Sequence, residues 1–288
     1  MSSRTVFAPR PLELSEPRFA STRYGDGRVG RLLGRTRTIA GDLRQPFVLG
    51  AYERSDLGRS TIALLDSLRG SQAGRVGLIV GNGPSVNITS LSSARELPYI
   101  LLNRGYLLRD RFDTHPIALC VHDPYVLENF RSELSQLETN LFLPETQVQG
   151  LERDGPTAGL RIARRWLFAE HLGLSIHHGH TVTFWGLQVG YLLGWRKAIL
   201  VGIDHRFAGA DRPSRVETAG AADSDHFAVD YFPEGARFLN PNLVASEYSF
   251  ELAKHAWEAA GREIVDCTPG GALTVFRKSS LEKEAVIG

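Results

Sequence analysis

An α/β fold, with a mainly parallel β-sheet flanked by helices, is the fold class this sequence predicts. Three observations predict it. Short apolar runs of about five residues recur between turn residues, which reads as strands buried on both faces. Segments of helical periodicity alternate with those runs from residue 75 onward, and no internal repeat or low-complexity tract interrupts the alternation.

The predicted strands are VGLIV (76–80), YILLN (99–103), IALCV (117–121), a weaker NLFLP (140–144), AILVGID (198–204), EIVDC (263–267) and LTVF (273–276). The covering helices are read over 159–173, 183–195 and 246–261. Ahead of the first strand, SDLGRSTIALLDSLRG places Leu57, Ile62, Leu65 and Leu68 on one face behind a Ser or Asp cap, so a helix leads into the domain. Residues 1–54 carry four prolines and many arginines with no sustained period, and read as a partly ordered N-terminal extension. The catalytic domain is expected over 55–280 and a C-terminal tail over 281–288.

The chain has 288 residues, 42% of them hydrophobic and 23% charged, which suits a packed core. Its 33 Lys and Arg against 32 Asp and Glu leave a net charge of +1, which gives no sign of a nucleic-acid partner. Cys120 and Cys267 both sit in apolar stretches and read as buried free thiols, in keeping with a reducing compartment. No apolar leader and no run of 18 apolar residues is visible, so the expectation is a cytoplasmic protein whose membrane contact, if any, is peripheral. Homo-oligomerisation is left open.

VGLIVGNGPSV joins a buried strand directly to Gly81, Asn82, Gly83, Pro84 and Ser85, followed by a polar run able to open a helix. Glycines at 81 and 83 allow a sharp turn and close approach to a ligand, and a helix N-terminus offers N–H groups to a phosphate. Val86 stands where a dinucleotide fingerprint has its third glycine, and no Walker loop is present, which disfavours NAD or P-loop chemistry. The same residues also fit a plain strand-to-helix turn with Pro84 at the first helical position.

Taken together, GNGPS after the first strand, LNRGY at the second and LGWRKAILVGID later resemble the bacterial sialyltransferases of glycosyltransferase family 42. They resemble equally a broader Rossmann-like group that holds the motility-associated-factor glycosyltransferases and the 6-hydroxymethylpterin diphosphokinases. The resemblance spans roughly residues 76–276 and implies a Rossmann-like sheet of GT-A-like variant. It implies that the Gly81–Ser85 loop, through Asn82, Gly83 and Ser85, and also Asn103 contact the nucleotide and sugar of a CMP-activated donor. Thr181 matches the start of a ligand-facing helix, and Thr268, Gly270 and Gly271 in CTPGG match a turn where base and ribose rest. His122 and Asp123 stand where that family carries an Asn-containing loop, and His205 and Arg206 where it has tyrosines that help the phosphate leave. An arginine there can neutralise a departing phosphate.

Glycosyl transfer needs a base for the acceptor hydroxyl. His226 in SDSDHFAVDYF is the expected base, on a long polar loop with Asp223 or Asp225 near enough to orient the ring. The cluster His177, His178 and His180 is a weak metal signal, so no metal ligand is assigned. Asp204 reads as a nucleotide contact or a turn cap. The expected function is metal-independent, inverting transfer of a nonulosonic sugar from CMP to a glycan or protein hydroxyl, with no cofactor beyond the donor itself. The alternatives are a pterin-type diphosphokinase using ATP and Mg²⁺ on Asp123 and Asp204, and a family member that binds nucleotide or glycan without turnover.

Overall fold

The computed structural model describes residues 49–285; residues 1–48, most of the predicted extension, and 286–288 lie outside the described residues. The fold is an α/β sandwich built on a nine-stranded sheet in the order β11-β10-β7-β1-β2-β3-β4-β5-β6, with every pairing parallel. In chain order the elements are α1 (Asp56–Leu68), β1 (Val76–Val80), β2 (Tyr99–Leu102), β3 (Ala118–Cys120), α2 (Pro124–Ser135) and β4 (Asn140–Pro144). Then come α3 (Glu145–Val148), β5 (Thr157–Ala163), β6 (Ser175–His177), α4 (Val182–Leu192), β7 (Lys197–Val201), β8 (Val216–Thr218) and β9 (Arg237–Leu239). The chain closes with α5 (Leu243–Ala259), β10 (Glu263–Asp266), β11 (Arg277–Lys278) and α6 (Leu281–Glu284). The strands β8 and β9 form a separate antiparallel pair.

Alternate residues along each strand feed two cores. Ile79, Ile100, Leu102, Phe142 and Leu200 pack with α1, α4 and α5 on one face, around Trp185, Trp195 and Trp257. Leu78, Val80, Leu101, Leu119, Val201 and Val265 pack with α2 and the β1–β2 connection on the other. Both cysteines are buried free thiols, and burial pushes Cys267 up to about 12 and Cys120 higher still, so neither is a ready nucleophile.

Four expectations need correction. The helix read over 159–173 is the strand β5 followed by irregular chain. Gly159 explains the strand. On the edge where β6 has not yet begun, its N–H donates to Thr61 Oγ1 at 3.0 Å and its carbonyl accepts from Tyr52 Oη at 2.5 Å. Those two side chains stop the open edge and tie α1 to the sheet. The strand read at LTVF is displaced to Arg277 and Lys278, and β6 was not foreseen. After Gly83 there is only a four-residue 3₁₀ turn, Pro84–Asn87, where an α-helix was expected. Part of the expected C-terminal tail is structural: α6 buries Leu281, and buried Glu284 accepts from Lys197 Nζ at 2.7 Å and Arg277 Nη1 at 2.8 Å.

The Arg277 hydrogen bond first, and Lys197 with it, outweigh burial and hold the Glu284 carboxyl down at about 2. Its depressed value means that this stability is present above the usual carboxylate range and is lost as pH falls from about 4.5 towards 2. Glu284→Ala removes the short pair of the partly buried Lys197, leaving it only Glu263 at 3.9 Å, and is expected to cost on the order of 2 kcal/mol in urea unfolding at pH 7, with a smaller difference near pH 3. A variant as stable as the parent at pH 7 would contradict this role.

Candidate functional site

Strand order reverses between β1 and β7: the chain runs outward from β1 to β6, then returns to lay β7 on the other side of β1. In open α/β sheets a crevice forms at the carboxyl ends of the strands at such a switch point. Here the two loops flanking the switch are stitched together. Gly81 N–H donates to Val201 O at 2.8 Å and Gly83 N–H to Gly202 O at 3.0 Å. Ser85 Oγ donates to Asp204 Oδ2 at 2.6 Å, and Ser85 N–H reaches Asp204 Oδ1 at 3.2 Å. A Cβ on Gly81 would overlap the Gly202 backbone, and one on Gly83 the Asp204 carboxylate. The glycines are therefore required by loop-to-loop contact. The N–H groups of Gly81, Gly83 and Ser85, expected to cradle a phosphate, are already engaged, and Val86 N–H donates to Gly83 O at 3.2 Å.

Above this seam lies a cavity of about 200 Å³. It brings together Gly81, Asn82, Gly83, Asn103, His122, Asp123, Thr181, Asp204, His205 and His226 from the predicted set. Drug-sized ligand pockets run to roughly 300–1,000 Å³, so a whole nucleotide sugar would extend beyond its mouth. Among the described residues, all four non-glycine residues with positive φ line it: Asn103 (46°), His180 (55°), His205 (55°) and Ser214 (59°). Left-handed backbone costs energy for residues other than glycine and gathers at functional sites.

His226 carries the clearest chemistry. Asp223 Oδ1 accepts from the backbone N–H groups of Asp225 at 2.9 Å and His226 at 3.2 Å, forming a tight turn. Its Oδ2 stands 2.8 Å from His226 Nδ1. Burial raises the Asp223 pKa, but the His226 hydrogen bond, its charge and the two N–H groups outweigh that, so the net shift is downward. An ionised carboxylate only accepts, so Nδ1 carries a proton towards Asp223, and in the neutral ring the lone pair is on Nε2. The ring lies flat on Tyr231, with centroids 3.9 Å apart and planes 2° from parallel. Asp225, the other expected orienting residue, instead accepts from Ala208 N–H at 3.0 Å.

The opposite wall is histidine-rich. His122 and His178 rings are 4.5 Å apart, and His178 meets His180 edge-on at 5.3 Å. Burial pushes His122 and His177 down to about 4 and His178 to about 2, so these rings are neutral at pH 7. His177 Nδ1 accepts from Gly179 N–H and His178 Nδ1 from His180 N–H, both at 3.1 Å. Both His122 nitrogens, Asn82 Oδ1 and Asn103 Oδ1 are sealed from water without a hydrogen-bond partner. A site with such unmet groups favours a ligand rich in hydroxyl or amino donors.

No Lys or Arg is among the described residues that line the cavity. Positive potential comes instead from two helix N-termini that open onto it: α4, capped by Thr181 Oγ1 on Thr183 N–H, and α5, capped by Asn242 Oδ1 on Ala245 N–H. Asp123 caps α2 through Tyr125 N–H at 2.8 Å, and burial raises its pKa against the backbone hydrogen bonds and the His226 charge that lower it.

No family model and no curated protein matches the chain. Among solved structures it is similar to a MAf glycosyltransferase from Magnetospirillum magneticum AMB-1, with a TM-score of 0.46 and 16% identity over 78% of this chain. The chain spans 39% of that protein's length. Similarity at this level says nothing of a shared activity.

Five predicted site residues stand outside the cavity lining. Ser85 is buried against Asp204. Arg206 is exposed: the left-handed His205 turns its own ring inward, 3.1 Å from Glu247 Oε1, and the next side chain faces solvent. Thr268 accepts from Ile203 N–H at 3.1 Å, while Gly270 and Gly271 form the turn that lets Ala272 N–H reach Asp204 O at 2.9 Å. The CTPGG segment thus braces the β7 loop and does not line the cavity. Sequence reasoning missed Tyr231, whose signal was the HFAVDYF spacing, and Asn240, Asn242 and Ser246 ahead of and within α5.

Neutral burial of His122 and His177 has a measurable sign. Their folded pKa values near 4 lie below the unfolded value of 6.5, so the unfolded chain binds more protons between those limits and stability falls as pH drops through that window. The limit is roughly 3 kcal/mol for each histidine. Urea midpoints should decline from pH 7.5 to 5, and a midpoint that is flat over that range would contradict neutral burial.

Proposed function

We propose that this chain transfers a glycosyl group from a nucleotide-activated sugar, most specifically a nonulosonic sugar from CMP, to a glycan or protein hydroxyl. The observation that carries this reading is the Asp223–His226 pair beside a cavity at the switch point of a parallel sheet. His226 Nε2 takes the acceptor proton as the acceptor oxygen bonds to the anomeric carbon. On the opposite side of that carbon the bond to the phosphate oxygen breaks, which inverts the centre and releases CMP. The N-termini of α4 and α5 supply the charge stabilisation that a departing phosphate needs. Asn82, Asn103 and His122 offer hydrogen-bonding groups for sugar or base. The resemblance of GNGPS and LNRGY to the sialyltransferases supports the choice of CMP.

Under this reading the cavity carboxylates are structural: Asp204 holds Ser85, Asp123 caps α2 and Asp225 holds Ala208. Melting temperatures with CMP, CDP, UDP, GDP, ATP and NAD, each with EDTA or Mg²⁺, test the donor class. CMP is expected to stabilise in EDTA, and stabilisation by ATP with Mg²⁺ but not by CMP would point to the diphosphokinase. His226→Gln is expected to lower turnover on the order of 10²–10⁴-fold with donor affinity within a few-fold, because a base acts in the transition state. Asn82→Ala is expected to weaken donor binding chiefly. Near-normal turnover in His226→Gln would overturn the reading.

A further inference from the structure

The arginine of LNRGY is not used by the chemistry above, yet it is buried at 7% exposure and joined to the base histidine through one residue. Arg104 grips Tyr231 at both ends. Its backbone N–H donates to the Tyr231 phenol oxygen at 3.1 Å. Its guanidinium Nη1 donates to the Tyr231 carbonyl and, at 3.1 Å, to that of Asp230. The guanidinium is itself fixed. It lies 3.7 Å over the Phe130 ring, its Nε reaches Tyr106 Oη at 3.3 Å, and Nη2 is 3.5 Å from Glu133, which also accepts from Tyr106 Oη at 2.6 Å. Tyr231 is 1% exposed, and one face of its ring carries His226 in parallel contact. Phe232 and Phe207 meet the His226 ring edge-on at 5.6 and 6.3 Å, farther away than Tyr231.

We propose that Arg104 is a positioning residue that, by clamping Tyr231, fixes the plane in which His226 presents Nε2 to the acceptor hydroxyl. Asp223 holds the ring at its Nδ1 edge, and the stack on Tyr231 supports its face, so the two together limit rotation of the imidazole about the Cβ–Cγ bond. Arg is suited to the task because its planar guanidinium donates from Nη1 to two carbonyls, from Nε to Tyr106 and from Nη2 to Glu133 while stacking on the Phe130 face, which a lysine does not do. The chain's β2 loop, through LNRGY, thereby governs a residue more than a hundred positions later in HFAVDYF. This inference rests on His226 being the base.

The test pairs a substrate-free readout with kinetics. In the parent, His226 ring protons are expected to show an upfield ring-current shift by NMR. Tyr231→Leu should remove that shift and lower kcat by roughly 10–100-fold, the scale of a small misplacement of a catalytic group, with donor KM within two-fold. Tyr231→Phe keeps the ring and should retain both within a few-fold. Arg104→Met should behave like Tyr231→Leu, and Arg104→Lys should not restore the parent. If the arginine variants fail to fold, the two tyrosine variants decide. An intact ring-current shift in Arg104→Met, or a Tyr231→Leu kcat within two-fold of the parent, would overturn the proposal. Should that happen while His226→Gln is inactive, the base assignment stands and only the clamp is wrong.

Discussion

The Ser85–Asp204 hydrogen bond, with the backbone bonds of Gly81 and Gly83 beside it, is the constraint on which the rest of the site depends. It closes the gap between the β1 and β7 loops at the one place where the sheet's connectivity changes direction. Because those loops are locked, Asn82 has a fixed position from which its Nδ2 donates to Leu102 O at 2.9 Å and its backbone carbonyl accepts from Phe227 N–H at 2.8 Å. The second bond anchors the His226 loop directly over the seam. The CTPGG turn supports the same seam from below through Thr268 and Ala272. Segments far apart in sequence therefore share one rigid junction.

The chemistry follows from how that junction distributes charge. Neutral histidines and unmet amide oxygens form one wall, and an oriented imidazole with an ionised carboxylate forms the other. The helix ends contribute positive potential without adding a flexible cation. Left-handed backbone at Asn103, His180, His205 and Ser214 gathers around the same cavity.

Much of the fold was readable from residue pattern. Strands β1 to β4, β7 and β10 are apolar on both faces, so their runs stand out without alternation. Strand β5 was hidden because Arg161 and the arginines after it mimic a polar helix face, and the features that make it a strand, Tyr52 and Thr61 bonding to Gly159, lie about a hundred residues away. β6 and β11 are too short to carry a period. GNGPS runs along the cavity, but its glycines answer to Gly202 and Asp204, a contact that the motif alone does not reveal. Tyr231 left only the HFAVDYF spacing as a signal, because its partner Arg104 lies more than a hundred residues earlier in the chain.

The central claim is spatial: the donor lies in the cavity with its reactive carbon beside His226. A crystal structure with CMP, or an unreactive CMP-sugar analogue, tests it most directly. The account predicts nucleotide density against Asn82, Asn103 and the N-terminus of α4, with the phosphate facing Thr181 and the sugar side open towards His226 Nε2. Nucleotide bound elsewhere, or bound here with the phosphate turned away from both helix N-termini, would contradict it.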